Sequence, residues 1–325
     1  MKNAFKVLLA LLLVLIIPNF FIDKNIRLER SVEITSPINP VFMKFANVSE
    51  WHNWHPWFKQ DSISTKLTET KVYGSGANVE WNNEAFGRGK LILKTLDLNK
   101  SLDFELLCSD FLQAKVKGVL TFKQVNRKTH VSLTIEQEYP FLLRILGLFA
   151  AKNFGKDLEL GLQNLKKQVE TSKEPFHILM YNKAAFSVYS KKEFCSTEEI
   201  GKTLENTYKD LQKVMEEDGI YIFGKPICIY HSYSDTTVVL EAALPVHQII
   251  TENSYTKTIA AATVLKATYV GSYEKTQATY DALDAFASRN GLSTSDTHYQ
   301  IFITDPGSIQ DPNKWVTEIY YTVTN

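Results

Sequence analysis

The sequence predicts an α+β protein with an N-terminal transmembrane helix and two domains. The first domain is a sheet curled around one long helix, and the second is a tandem βαββ unit with a pseudo-twofold repeat. Three observations carry this prediction: an apolar run opens the chain, a series of strand-like segments then ends in one long amphipathic helix, and the remainder repeats one order of elements at offsets of 72 and 77 residues. At 325 residues and 44% apolar composition, the chain can bury more than one core.

The opening element is apolar without interruption from Val7 to Ile17, and Phe20, Phe21 and Ile22 extend it past Pro18 and Asn19. A spanning helix needs about 20 residues, and Ala4 and Phe5 lengthen the run if Lys6 snorkels to the interface. Lys2 and Lys6 would also suit a secretory signal, but no small-x-small cleavage site follows. Residues 1–23 are therefore read as an uncleaved anchor in a single-pass membrane protein. The two lysines place its N-terminus in the cytoplasm and the body on the far side, while Lys24, Arg27 and Arg30 oppose that orientation.

The first domain is read over residues 24–170. A strand at Ile26–Ile34 stops at Thr35-Ser36-Pro37, a short helix follows at Pro40–Phe45, and then comes the cluster Trp51-His52-Asn53-Trp54-His55-Pro56-Trp57. Six strand-like runs lie between Ser64 and Glu138. A helix from about Leu142 to Val169 closes the unit with Leu158, Leu162, Leu165 and Val169 on one face. Such a grip leaves a cavity between helix and sheet. Gly74, Gly76, Gly87 and Gly89 flank a short strand, where a sharply bending sheet needs positive φ or bulges.

The second domain is read over residues 175–325, beyond a linker at Thr171–Pro175. Each half runs strand, helix, strand, strand. The helices Thr197–Glu217 and Lys275–Arg289 stop at Asp218-Gly219 and Asn290-Gly291, and Glu241 and Glu318 occupy matching places in the final strands.

Two resemblances follow. Arg30–Pro37, the tryptophan cluster, Gly74–Trp81, Gly87–Gly89 and the helix ending Leu160–Lys166 resemble the START-like superfamily, also called SRPBCC or polyketide-cyclase-like. This implies a helix-grip fold with a deep hydrophobic pocket and no fixed chemistry. Lys266–Tyr273, Thr279–Leu283, Gln300–Pro306 and Trp315–Tyr321 resemble the GyrI-like effector-binding domain. That likeness implies a pseudo-twofold sheet around an aromatic-lined pocket for small, often cationic or aromatic, molecules; some relatives are hydrolases using a pocket glutamate and tyrosine.

Glu318 shares a strand face with Val316, Tyr320 and Thr322, and a carboxylate in such surroundings must find a cation, hydrogen bonds or a raised pKa. It either lines the pocket, binding a cation or activating water, or pairs with a lysine such as Lys266; the resemblance favours the pocket. Glu241 is its repeat partner. Tyr269, Tyr273, Tyr299, Trp315 and Tyr320 are the aromatic candidates for the wall. If the chain is an enzyme, the resemblance makes it a hydrolase with Glu318 as base and Tyr273 or Tyr320 assisting. The favoured reading is a binding protein that senses, buffers or transfers small hydrophobic or cationic molecules.

His52 and His55 have no third ligand at recognisable spacing, so no metal site is expected. No cofactor loop, nucleophile elbow or basic-aromatic nucleic-acid motif occurs in the chain. The 36 basic and 36 acidic residues cancel overall, which argues against a phosphate-backbone partner. Their distribution is uneven: 22 basic and 16 acidic residues lie between Lys24 and Lys173, against 12 and 19 from Glu174 onward, giving +6 and −7. The acidic half suits cationic ligands and the basic half an anionic membrane surface.

Overall fold

The computed structural model describes residues 16–56, 66–83, 87–109, 115–172, 178–247, 254–304 and 306–324. The chain divides into two units at Lys173 and Glu174.

The first unit is a seven-stranded antiparallel sheet with helices on one face. Its strands are β1 (Asn25–Ile34), β2 (Lys66–Lys71), β3 (Asn78–Asn83), β4 (Gly87–Asp97), β5 (Ser101–Cys108), β6 (Lys115–Val125) and β7 (Lys128–Glu138). They lie in the order β1-β7-β6-β5-β4-β3-β2. β6 shows why these residues form strands: Val116, Gly118, Leu120 and Phe122 are buried while the residues between them are exposed. Helices α1 (Ile38–Ala46) and α2 (Trp51–Trp54) follow β1, and α3 (Arg144–Thr171) ends the unit. α3 packs on β1 and buries Leu158, Leu162, Leu165 and Val169, the face that the sequence marked out. The bends use glycine in two ways. Gly87 takes a φ of 69°, whereas Gly89 leaves room for the Trp81 ring, which a Cβ there would approach to 2.0 Å.

The membrane helix expected over residues 1–23 is corrected by the structure, because no helix among the described residues is long and apolar enough to cross a membrane. Most of that span, residues 1–15, lies outside the described residues. The described part, Ile17–Phe20, is a single 3-10 turn with Pro18 at its start. Asn19 is fully buried and its side chain accepts a hydrogen bond from the Ile145 backbone N–H at 3.0 Å. Phe20 meets Phe141 edge-on at 4.7 Å. Proline removes a backbone donor and a buried asparagine needs partners, so Ile17–Phe20 form a turn that Asn19 ties to the start of α3. The single-pass localisation, with its cytoplasmic N-terminus and distant body, loses its support with the helix.

The second unit is one eight-stranded antiparallel sheet with two helices. β8 (Leu179–Lys183) precedes a first half of β9 (Phe186–Ser196), α4 (Ile200–Glu217), β10 (Ile227–Tyr233) and β11 (Thr237–Val246). After β12 (Thr256–Ile259), a second half follows as β13 (Ala262–Val270), α5 (Gln277–Arg289), β14 (Thr294–Phe302) and β15 (Val316–Val323). The order β12-β9-β11-β10-β14-β15-β13-β8 is the repeat made visible, with β10 pairing to β14 at the seam between the halves. α4 packs on β9 and β11, and α5 on β13 and β15. Gly219 and Gly291, at φ of 69° and 59°, close the two helices.

Both faces of this sheet are apolar. Leu204, Leu211, Met215, Cys228, Leu240 and Leu244 form the core under α4, while Val188, Ile227, Ile229, Val264, Tyr299 and Tyr320 pack on the other side.

Candidate functional site

A cleft of about 620 Å³ opens in the second unit, on the helix-bearing face of the sheet. Its floor is made by Tyr230 of β10, by His298, Gln300 and Phe302 of β14, and by Tyr321 of β15. Period-two alternation aims these side chains to one side, and the β10–β14 seam brings Tyr230 opposite His298. The 3-10 turn Thr197–Glu199 before α4 contributes Thr197 and Glu198, the first turns of α4 contribute Ile200 and Leu204, and α5 contributes Tyr280 and Asp284. Tyr273 and Trp315 close one end.

The rings are ordered by direct contacts. His298 stacks on Tyr230 at 5.2 Å and 17°, and meets Tyr280 edge-on at 5.0 Å. Tyr273 lies 4.6 Å from Trp315 and 5.0 Å from Phe302. Polar tips anchor the walls: Tyr273 Oη donates to the Thr304 carbonyl at 2.9 Å, Trp315 Nε1 to the Ile309 carbonyl at 2.6 Å, and Gln300 Nε2 to Tyr280 Oη at 2.6 Å. Burial pushes the phenols of Tyr230, Tyr280 and Tyr321 upward, so all three remain neutral. Burial also lowers the His298 pKa, opposed by the Asp296 carbonyl and the Asp284 carboxylate. Among the described residues lining the cleft, the ionised groups are Glu198 and Asp284, and none is lysine or arginine. An acidic rim over aromatic faces is chemistry suited to a flat or cationic ligand.

Of the residues expected at the site, Tyr273 and Trp315 line this cleft. Tyr269 is half-buried and packs against Gly271, where a Cβ would come within 2.4 Å of its hydroxyl. Glu318, Tyr320, Tyr299 and Glu241 lie on the opposite face of the sheet. There Glu318 accepts hydrogen bonds from Lys266 Nζ at 2.7 Å and Tyr320 Oη at 2.6 Å. Tyr320 stacks on Tyr299 at 4.7 Å, and Lys183 lies 5.1 Å above the Tyr320 ring. Glu241, 5% exposed, is held by Lys257 at 2.8 and 3.0 Å, Ser190 at 2.6 Å and His231 at 2.8 Å. Burial raises both carboxyl pKa values, but the lysine and hydroxyl partners more than offset it, and both groups sit below the ordinary glutamate value.

Sequence reasoning missed Tyr230, Tyr280, His298, Gln300 and Asp284. The available signal was the alternation His298, Gln300, Phe302, one residue out of step with Tyr299.

In the first unit Trp51 and Trp54 are 3% and 2% exposed and pack with Phe45 and Phe104, and a cavity of about 10 Å³ remains among these described residues. Burial holds His55 neutral, its pKa lowered to about 3. Trp57 lies outside the described residues.

Two family matches give the chain two small-molecule-binding domains in tandem. Residues 25–170 match the family described as polyketide cyclase / dehydrase and lipid transport, and residues 180–323 match the GyrI-like small molecule binding domain. The chain therefore carries an SRPBCC-like domain followed by a GyrI-like one. No curated protein matches it. Similar solved structures include the EcmrR C-terminal domain, at 19% identity and a TM-score of 0.43, covering 47% of this chain and 99% of that one. SAV2435 bound to tetraphenylphosphonium follows at 12% identity and a TM-score of 0.36, covering 46% and 94%. A hydrolase from Listeria innocua stands at 13% identity and a TM-score of 0.35, covering 45% and 91%.

Proposed function

We propose that the second unit binds flat aromatic or cationic small molecules in the cleft between α4 and α5, for sensing, buffering or transfer. The observation that carries this reading is a cleft of about 620 Å³ whose described lining combines a tryptophan and five tyrosines with two carboxylates and no lysine or arginine. A cation over ring faces in such surroundings gains about 0.5–2 kcal/mol per contact. The −7 charge of this half adds long-range attraction for cations.

A hydrolytic reading would rest on the Tyr181–Tyr320–Glu318 hydrogen-bond chain, with links of 3.4 and 2.6 Å. Glu318 is, however, already engaged by Lys266 and faces away from the cleft, which favours binding over turnover. Calorimetric titration with tetraphenylphosphonium as a probe tests the proposal. Saturable binding, weakened about 3- to 30-fold by Trp315→Ala and by Tyr273→Ala, is the expected result. Absence of binding at millimolar probe, or binding indifferent to both substitutions, would remove it.

A further inference from the structure

We propose that His298 makes the cleft's selectivity for cations depend on pH, because its protonated ring would claim from within the chain the aromatic faces that a cationic ligand needs. This rests on the reading of the cleft as a cation site and names a residue that sets its specificity.

The geometry supports it from every side. From β10, Tyr230 lies flat against the imidazole at 5.2 Å. From α5, Tyr280 presents its ring at 5.0 Å, and Asp284 stands near at the rim. From β15, Tyr321 lies at 5.7 Å. On its own strand, the Asp296 carbonyl hydrogen-bonds to His298 and Gln300 is the next residue on the same face. The turn before α4 adds Glu198 to the lining, and Tyr273 lines it as well. Three neutral phenol rings around an imidazole form a cage suited to one positive charge. When the ring is neutral, the described lining carries two carboxylates and no cation, so a ligand can supply the charge. When the ring is protonated, the cage already holds one, and a second would sit within a few ångströms of it.

The sign follows from linkage. Burial lowers the His298 pKa below its ordinary 6.5, so cation affinity is full at and above 6.5 and falls as pH drops through the lowered midpoint. Reciprocity requires that a bound cation lower the His298 pKa further, by the same coupling factor. A neutral ligand of the same shape meets no such competition.

Affinities for tetraphenylphosphonium and for neutral triphenylphosphine oxide would be measured on the full chain at pH 8, 6.5 and 5, alongside an NMR titration of the His298 ring proton with and without the cation. The expected result is a fall in cation affinity as pH drops through the His298 midpoint read by NMR, about tenfold for each pKa unit by which the cation shifts that midpoint, with little change for the neutral probe. The His298 midpoint should fall by a matching amount when the cation is bound. His298→Gln, with His298→Asn as a second variant if the first does not fold, should abolish the pH dependence. Cation binding that is equally tight at all three pH values, or a pH dependence that survives both variants, would overturn the inference while leaving the cleft reading intact. Failure of both probes to bind at pH 8 would instead overturn the cleft reading and this inference with it.

Discussion

Glu318 and Glu241 show how one residue type is spent twice in a duplicated unit. Each sits on the face away from the cleft and each is matched by a lysine, Lys266 from the adjacent strand β13 and Lys257 from β12, one strand beyond β9. Removing one member of such a pair leaves a charge without its partner in low dielectric. Glu318→Gln is therefore expected to destabilise the second unit by about 1–3 kcal/mol in urea unfolding, while tetraphenylphosphonium binding at the cleft is retained. Loss of binding with unchanged stability would place Glu318 in the site. Both carboxyls have folded pKa values below the ordinary 4.5, so their contribution to stability is complete above that value and fades as pH falls through the folded pKa. His55 behaves in the same sense at higher pH. Its folded value of about 3 against an ordinary 6.5 means that it favours the native state above 6.5 and that stability is lost progressively below. At pH 5 that loss is about 2 kcal/mol, and His55→Gln should flatten the slope of first-unit stability between pH 6.5 and 4.

At the scale of elements, the sequence was most legible where burial is one-sided. β6 alternates without exception over its first eight residues, and α3 keeps its leucines on one face, so both could be located within a few residues. The second sheet is different because it is apolar on both sides. β11 buries five consecutive residues, Leu240 to Leu244, and a run of that kind carries no period from which to choose a face. Tyr299 and His298 are thus both reasonable inward residues from sequence alone, and only the placement of α5 decides that His298 meets the cleft. Glu318 followed the same course: its pairing with Lys266 was legible as a possibility, but its face was not. Close packing gives a further test. A Cβ at Gly118 would fall 2.1 Å from the Phe104 ring on the neighbouring central strand, so Gly118→Ala should cost about 1–3 kcal/mol in thermal or urea unfolding of the first unit. An unchanged melting temperature would mean that Phe104 swings aside freely.

For the whole molecule, the cleft of about 620 Å³ belongs to the second unit alone, its described lining running from Thr197 to Tyr321. A fragment spanning Glu174–Asn325 should therefore bind tetraphenylphosphonium with the affinity of the full chain. The ionic contrast between the halves adds a second check, since raising salt should weaken cation binding to the acidic fragment and leave a neutral probe unaffected. The β10–β14 seam has one more consequence. In a pair of identical chains meeting across an axis, any substitution alters both banks at once. Two halves joined in a single polypeptide carry no such obligation: Tyr230 on one bank and His298 on the other are separate positions, so either can be altered by mutation while the other is held constant.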